Sequence, residues 1–486
     1  MLKFWKNAGI MAFAEIFLKL KALFMMPFIT KYLGAVNYGI WSQVMVIVSL
    51  LSPLIFCGME NSLGRFLPGR PIEQQRKEFT GWFIFGVCSS ICLFVCIFII
   101  SNPLSELFFG TTKEFSPFIV LAGLNIVVTC LLTGIRSWFR VQNDAWSLVI
   151  ITVMQNLLQM GVVIGVLLSQ KGIYELVSWS LVSDCLLMAG YLIYMLRNNI
   201  FASPSLGWLK PYFKFGIIFL PSGYAVWVLN SLDRVFLAQY HSLADIGIYS
   251  IGFTIGYTLI QVIVNPIWNL FPTKSAEFYN LGEFQEINLL LNQSIKLICW
   301  IIFPSIFGFI LIGRQLLGIL STDEFASGYL VIPIILSGYC SSILSSYFET
   351  ILTLKNKPHF STIFTLLSCS INIILNFLLI PKFSYIGAAV ATTISFMFQL
   401  GISIFYASKE NLIELDKKSL AKILLASTTM FCGTYIVKSC WLNSGGLWAF
   451  LLPIFLGIFL YSSLTYLLKI YDFKYLIKNL RGESSV

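Results

Sequence analysis

Apolar runs of about twenty residues recur from one end of the chain to the other, separated by short polar connections. About 20 helical residues span the roughly 30 Å hydrocarbon core of a bilayer. Strands of a membrane barrel would alternate polar and apolar positions, and these runs do not. The pattern predicts an all-α polytopic membrane protein of fourteen transmembrane helices. Their limits are about 9–32, 38–60, 79–101, 117–138, 146–169, 174–196, 213–239, 246–270, 288–312, 329–352, 360–380, 386–407, 420–440 and 447–468. The first run follows Lys3 and Lys6, as a signal peptide would. It is too long for one, however, holds Glu15, Lys19 and Lys21, and lacks a small-residue cleavage site.

One pattern occurs twice. Phe28–Ser42 (FITKYLGAVNYGIWS) aligns without gaps to Phe236–Ser250 (FLAQYHSLADIGIYS) at an offset of 208 residues. Phe28/Phe236, Tyr32/Tyr240, Gly39/Gly247, Ile40/Ile248 and Ser42/Ser250 are identical; Asn37/Asp245 and Trp41/Tyr249 are similar. A long offset between similar halves is how transporters built from two repeated bundles look in sequence. Asn143-Asp144 and Asn356-Lys357 also follow the fourth and tenth spans, corresponding places in the two halves. The expected organisation is a six-helix bundle over 1–205, a second over 206–412 related by a pseudo-two-fold, and a helix pair with a tail over 413–486.

Composition agrees: 57% of the 486 residues are hydrophobic and 11% charged, where a soluble domain has about 25% charged. The net charge of +10 suggests nucleic acid until its placement is read. Most of the 32 Lys and Arg fall in alternate loops, among them Arg65, Arg70, Arg76, Lys77, Arg136, Arg140, Lys417 and Lys418. The positive-inside rule then accounts for the charge and puts both termini in the cytoplasm. Nucleic-acid binding is excluded. None of the eleven cysteines forms a Cys-x-x-Cys pair, so no metal site is expected. No cofactor is expected either. Every connection is short; the longest lie around 61–78, 197–212 and 271–287.

Three pieces of the chain carry a family resemblance. They are Leu33-Gly34 with Tyr38-Gly39; then Leu220-Pro221, Trp227, Asp233-Arg234 and Gly247–Ser250; and finally Asn376–Pro381 with Gly387–Thr392. In this order they resemble the lipid-linked oligosaccharide flippases of polysaccharide biosynthesis. These include the O-antigen (Wzx-type) branch of the multidrug/oligosaccharidyl-lipid/polysaccharide exporter superfamily. The resemblance implies two six-helix bundles forming a V around a central cavity. It implies a substrate of undecaprenyl-pyrophosphate carrying an oligosaccharide, moved from the inner to the outer leaflet of a bacterial cytoplasmic membrane for O-antigen, capsule or exopolysaccharide. A polysaccharide polymerase and a chain-length regulator are the partners such a pathway supplies, and the flippase itself is expected to act as a monomer. Where relatives often place Arg in the first span, this chain has Lys19 and Lys21.

The candidate residues follow from charge cost. One charge at mid-bilayer costs about 2.5–3.5 kcal/mol on insertion scales, so charges in or near spans have work or a partner. Lys19, Lys21, Arg65 and Arg234 are the candidate contacts to a pyrophosphate, with Glu15 and Asp233 as gating or ion-coupling acids. Glu15 and Lys19 share a helix face and can instead pair with each other. Lys21 points about 200° round from Lys19 and can instead snorkel to the interface. Arg65 also suits a topogenic role, and the Asp233-Arg234 pair a structural clamp. Side chains about 100° apart do not simply neutralise each other on one helix, so each is expected to find a partner on another span. Asn230, Asn265, Asn269, Asn372 and Asn376 are candidates for a polar, sugar-binding cavity. Gln155, Asn156 and Gln159 add polarity to the fifth span. For most such residues interhelical hydrogen bonds are the simpler reading. Asp184, Lys296 and Glu349 are further charges suited to ion coupling, and none stands out. His241 and His359 lie at span ends, unlike buried catalytic histidines. Two other functions compete. A multidrug or cation antiporter would want carboxylates where the first span has two lysines. A membrane polysaccharide polymerase, glycosyltransferase or acyltransferase would want a large outer loop bearing acid, Arg or His clusters. A transporter rather than an enzyme is therefore expected.

Overall fold

A computed structural model describes the backbone of residues 2–110, 114–205, 207–410, 414–441 and 447–470, and side chains from residue 25 to 439 within these ranges and over 450–470. Among the described residues seventeen α-helices run α1 (Leu2–Ile55), α2 (Met59–Phe66), α3 (Ile72–Ile99), α4 (Ser101–Phe109), α5 (Ser116–Val141), α6 (Ala145–Leu168), α7 (Ile173–Arg197), α8 (Leu209–Gly216), α9 (Leu220–Tyr240), α10 (Leu243–Ile263), α11 (Asn265–Leu281), α12 (Phe284–Leu320), α13 (Asp323–Ala326), α14 (Val331–Leu354), α15 (His359–Ser408), α16 (Lys417–Trp441) and α17 (Leu447–Leu467). Twelve helices among the described residues are long and apolar enough to cross a membrane, and no strand occurs there. Two are merged hairpins. α1 breaks at Gly34 (φ 73°, ψ 177°) and α15 at Ser384 (φ 48°, ψ −134°).

Two expected spans end well before their predicted limits. The second span stops at Ile55, where Cys57 and Gly58 take left-handed backbone angles before α2. The eighth stops at Ile263, and Pro266 opens the separate helix α11. Proline has no N–H for the preceding turn, so the apolar run through Trp268 does not continue one helix.

The chain divides into two compact units, one of residues 1–251 with 365–391 and one of 252–364 with 392–486. In the first, the two copies of the repeat lie against each other. A Cβ on Gly39 would stand 2.0 Å from the carbonyl oxygen of Leu243, and one on Gly247 would stand 2.1 Å from that of Ala35. The hydroxyls of Ser42 and Ser250 meet at 2.7 Å. Ala35 and Leu243 are themselves separated by the repeat offset, so the contact is reciprocal. Each copy presents the same patch to the other, the pattern of a two-fold interface.

Each turn carries its own cap. At the Gly34 break the Asn37 amide donates to the freed Leu33 carbonyl at 2.7 Å. At the start of α10, Ser242 and Asp245 form a capping box. The Asp245 N–H donates to Ser242 Oγ at 3.2 Å, and the Ser242 N–H to Asp245 Oδ2 at 3.2 Å. Near the Ser384 break His241 Nε2 donates to the Ile380 carbonyl at 2.7 Å. That bond fixes the imidazole tautomer with hydrogen on Nε2.

The two breaks differ in strain. Gly34 occupies backbone space essentially reserved for glycine, whereas Ser384 holds a left-handed φ with its hydroxyl buried and without a hydrogen-bond partner. Gly34→Ala is expected to destabilise by about 1–3 kcal/mol, and Ser384→Gly to stabilise by about 1 kcal/mol. Thermal loss of the monodisperse peak in detergent gel filtration measures both. Shifts of the same sign would refute this account.

In the second unit, proline again leaves a carbonyl to be satisfied. Pro304 inside α12 removes the donor to Trp300, and Tyr461 Oη on α17 donates to that carbonyl at 2.8 Å. Lys438 on α16 donates to the Leu311 carbonyl of α12. Asp416 caps α16 by accepting from the Ser419 N–H at 3.0 Å, and the Ser419 hydrogen bonds hold its carboxyl below the usual range. At 37 residues α12 is about 55 Å long and outreaches the hydrocarbon core.

Candidate functional site

Three polar constellations lie inside the helices of the first unit. The first sits at the reciprocal hairpin contact. Asp233 is 1% and Arg234 6% exposed. The guanidinium bends back along α9: Nη1 lies 3.4 Å from Asp233 Oδ1 and donates to the Asn230 carbonyl at 2.8 Å. Its Nε donates to Ser250 Oγ at 3.1 Å, and its carbon lies 5.3 Å from the Tyr249 ring. Tyr249 Oη donates to Asp233 Oδ2. Gln43 Nε2 donates to the carbonyls of Arg234 at 2.9 Å and Phe108 at 2.7 Å. The expectation that Asp233 and Arg234 would not pair is corrected: the long Arg side chain spans the angle between them. The expectation of partners on another helix holds for both, through Tyr249 and Ser250. With Nε and Nη1 taken by the chain, Arg234 is built in as a brace of α9 against α10.

The second constellation joins α2, α3 and α8. Glu78 is buried, pairs with Arg70, and accepts from Tyr212 Oη at 2.9 Å and Gln74 Nε2 at 3.0 Å. Ser62 Oγ donates to the Tyr212 carbonyl at 2.7 Å. Arg65 stands on the exposed face of α2, its guanidinium 4.5 Å from the Phe215 ring and 5.5 Å from that of Phe66. A guanidinium stacked on aromatics keeps its N–H fork free for an anion. Beside it in α2, burial pushes the Glu60 carboxyl up, opposed by the charge of Arg140.

The third links α5, α6 and α7. Arg136 Nη2 donates to Gln155 Oε1. Gln155 Nε2 donates to Asp184 Oδ1 at 3.0 Å, and Gln159 Nε2 to Asp184 Oδ2 at 3.2 Å. The sequence reading counted Arg136 among topogenic loop charges. It lies inside α5, and its partners are 19 residues and more away, beyond what helical spacing reveals.

The remaining candidates are scattered. Asn372 and Asn376 are buried and bonded to each other, Nδ2 to Oδ1 at 2.9 Å. Asn230 donates back to the Val226 carbonyl at 2.8 Å. Asn265 bonds to Gln261 across the break between α10 and α11 rather than to Asn269, which is exposed. The side chains of Glu15, Lys19 and Lys21 lie outside the described residues. Arg65 and Arg234 have separate partners.

An all-helical, multi-pass membrane protein that keeps charged and amide side chains within its spans has the build of a transporter. The chain belongs to the polysaccharide biosynthesis protein family, whose description matches residues 28–329. It is 26% identical over 260 residues to a Haloferax volcanii protein named "Probable low-salt glycan biosynthesis flippase Agl15", covering 53% of each chain. It is 30% identical over 185 residues to "Capsular polysaccharide biosynthesis protein CapF" of Staphylococcus aureus, covering 37% of this chain and 45% of that one. These matches span about half the length of the two relatives. Among solved structures it resembles "Lipid II flippase MurJ, inward closed conformation", with a TM-score of 0.75 and 15% identity over 94% of this chain and 98% of that one. At that identity the likeness shows the fold.

Proposed function

We propose that the chain is a flippase that carries undecaprenyl-pyrophosphate-linked oligosaccharide units from the cytoplasmic to the outer leaflet by alternating access. One observation carries this reading: the family match covers the residues that build the hairpin contact, Arg65 and the Asp233-Arg234 brace. Relatives named for glycan and capsule biosynthesis support the cargo class. A pyrophosphate headgroup cannot shed its charge and must cross about 30 Å of hydrocarbon, while the isoprenoid tail can stay in lipid. Several modest cationic contacts then serve better than one tight site, because the headgroup must also leave. Lys19, Lys21 and Arg65 are the proposed contacts. Arg234 acts by holding α9 and α10 in place, and Glu15 and Asp233 are the proposed gating acids. Asn230, Asn372 and Asn376 in the first unit, and Asn265 and Asn269 in the second, are the proposed polar contacts to sugar. A monomer in the bacterial inner membrane, working beside a polymerase and a chain-length regulator, completes the reading.

Fourteen crossings with both termini in the cytoplasm are part of the proposal. Splitting α15 at Ser384, and counting the arm of α1 before Gly34, raises twelve candidate spans to fourteen. The repeat supports two six-helix bundles over 1–205 and 206–412, followed by the pair in 413–486. Alkaline phosphatase fused after Lys478 should be inactive and fused near Thr111 active; an active C-terminal fusion would sink the topology.

The functional test uses a strain lacking its own flippase. Lys19→Ala should abolish surface-polysaccharide display, and the lipid-linked intermediate should build up in the inner leaflet while the protein stays at normal abundance. Lys19→Arg should keep partial activity, since charge survives although geometry changes. Normal display from Lys19→Ala and Arg65→Ala alike would make these charges topogenic and end the cationic-path proposal.

A further inference from the structure

The first and last turns of α15 come together, because the helix folds back at Ser384. Phe360, near its start, packs on Tyr406, near its end, with ring centroids 4.8 Å apart. The contacts run on in both directions. The His359 ring lies 4.7 Å from that of Phe360. Lys409 Nζ stands 4.1 Å from the Phe405 ring and 5.3 Å from that of Tyr406. The result is a continuous aromatic shelf within the second unit. It is open: Phe405 is 56% and Tyr406 36% exposed, and His359 and Lys409 are exposed beside them.

The polar atoms along the shelf are free. None of the ion pairs among the described residues includes Lys409. Glu410, next to it in the chain, is held by Lys357 at 2.7 Å. Tyr406 Oη and the His359 ring nitrogens make no hydrogen bond among the described residues. An imidazole carries at least one N–H in every tautomer and charge state, and a phenol can donate. Three donors therefore border one ring surface, with a fixed positive charge at one end.

Aromatic residues at a membrane interface are ordinary, and so are single lysines at span ends. Three free donors meeting on contiguous rings ask for a ligand with several acceptors and an apolar body. A glycerophospholipid has both, in its phosphate oxygens and its acyl chains. The headgroup class follows from Lys409. A choline or ethanolamine group would bring a second cation to rings that already hold one, whereas an acidic headgroup meets only attraction.

We propose that this shelf binds an anionic glycerophospholipid. Lys409 and His359 hold the phosphate, Tyr406 donates to it from between them, and the upper acyl chain lies along Phe405. A lipid seated there touches the first and last turns of α15 at once and holds its fold-back closed. By the topology proposed above the lipid belongs to the inner leaflet. The binding itself depends on neither that topology nor the cargo.

Native mass spectrometry of the full chain, stripped of lipid and titrated with phosphatidylglycerol or phosphatidylcholine, tests this without a transport assay. The wild type should hold phosphatidylglycerol about fivefold more tightly, the effect of one cation at a membrane surface. Lys409→Gln should abolish that preference and Lys409→Arg should keep it. Tyr406→Phe retains the ring and should weaken the preference only in part. Lys210→Gln removes an exposed cation from α8 in the first unit and should change nothing. Added phosphatidylglycerol should raise the thermal stability of the wild type and of Lys409→Arg, but not of Lys409→Gln. Equal retention of the two lipids by the wild type would overturn the proposal. Equal losses from Lys409→Gln and Lys210→Gln would also overturn it, reducing the effect to overall surface charge. Displacement of phosphatidylglycerol by millimolar inorganic phosphate would overturn the lipid as occupant, in favour of a free-phosphate site.

Discussion

Arg234→Ala is expected to leave little folded protein. The substitution removes the guanidinium but not the Asp233 carboxylate, which is 1% exposed and would keep only Tyr249 and its own helix for company. Breaking a buried ion pair from one side costs about 3–5 kcal/mol, which is a large share of the 5–15 kcal/mol that holds a typical domain together. The remedy is as informative as the damage. Asp233→Asn combined with Arg234→Met removes both charges and is expected to recover most of the monodisperse protein in detergent. Display of polysaccharide by the double variant then separates bracing from transport. Should Arg234→Ala alone be extracted at wild-type abundance and stability, the brace is not structural, and a direct role toward the cargo regains the ground.

Gly247→Ala is expected to push the two hairpins apart. The new methyl group would sit 2.1 Å from the Ala35 carbonyl oxygen, whereas carbon and oxygen settle no closer than about 3.3 Å. The neighbour is backbone on a helix, so no side chain can swing away, and the helices must separate by about 1 Å. Close backbone approach through small residues is what holds such crossings in a membrane. The readout is a cysteine pair, Ser42→Cys with Ser250→Cys, placed where two hydroxyls now meet at 2.7 Å. Oxidation should join the pair readily in the parent and several-fold more slowly once Gly247→Ala or Gly39→Ala is added. Equal rates would show that the glycines are not what sets the spacing.

Much of this architecture is legible in the residues. The apolar runs place α5, α6, α7, α14 and α17 within about three residues of their observed ends, because a buried span leaves no polar position to blur it. The turn residues are legible for a physical reason as well: Asn143 and Asn356 take left-handed angles, which asparagine tolerates. The 208-residue alignment sets Gly39 against Gly247 and Ser42 against Ser250 as equivalent positions, but that the two copies touch there is not legible in it. Nor are the partnerships of charges. Arg136 at the end of an apolar run looks like any topogenic arginine until Gln155 and Asp184 are brought to it by tertiary packing. Glu349 finds Gln399 and Ser403 some fifty residues further on, and no spacing rule connects them. The break at Ile263 was masked by the apolar Pro-Ile-Trp that follows it, where hydropathy outweighed the missing proline N–H.

A surface that is complementary to its own copy does not need both copies on one chain. A half-length ancestor bearing one such hairpin would pair with a second molecule of itself, glycine against backbone and serine against serine across the axis. In that dimer every substitution arises twice. An arginine near the axis would face another arginine, with no partner acid of its own to offset the repulsion. Fusing the two copies into one gene removes the constraint, since each change then occurs once. The present chain shows what that freedom permits. Met25 and Met26 lie one repeat offset before Asp233 and Arg234, and both are buried and apolar. At these two positions one copy holds apolar side chains and the other an ion pair, so the two hairpins are not interchangeable there.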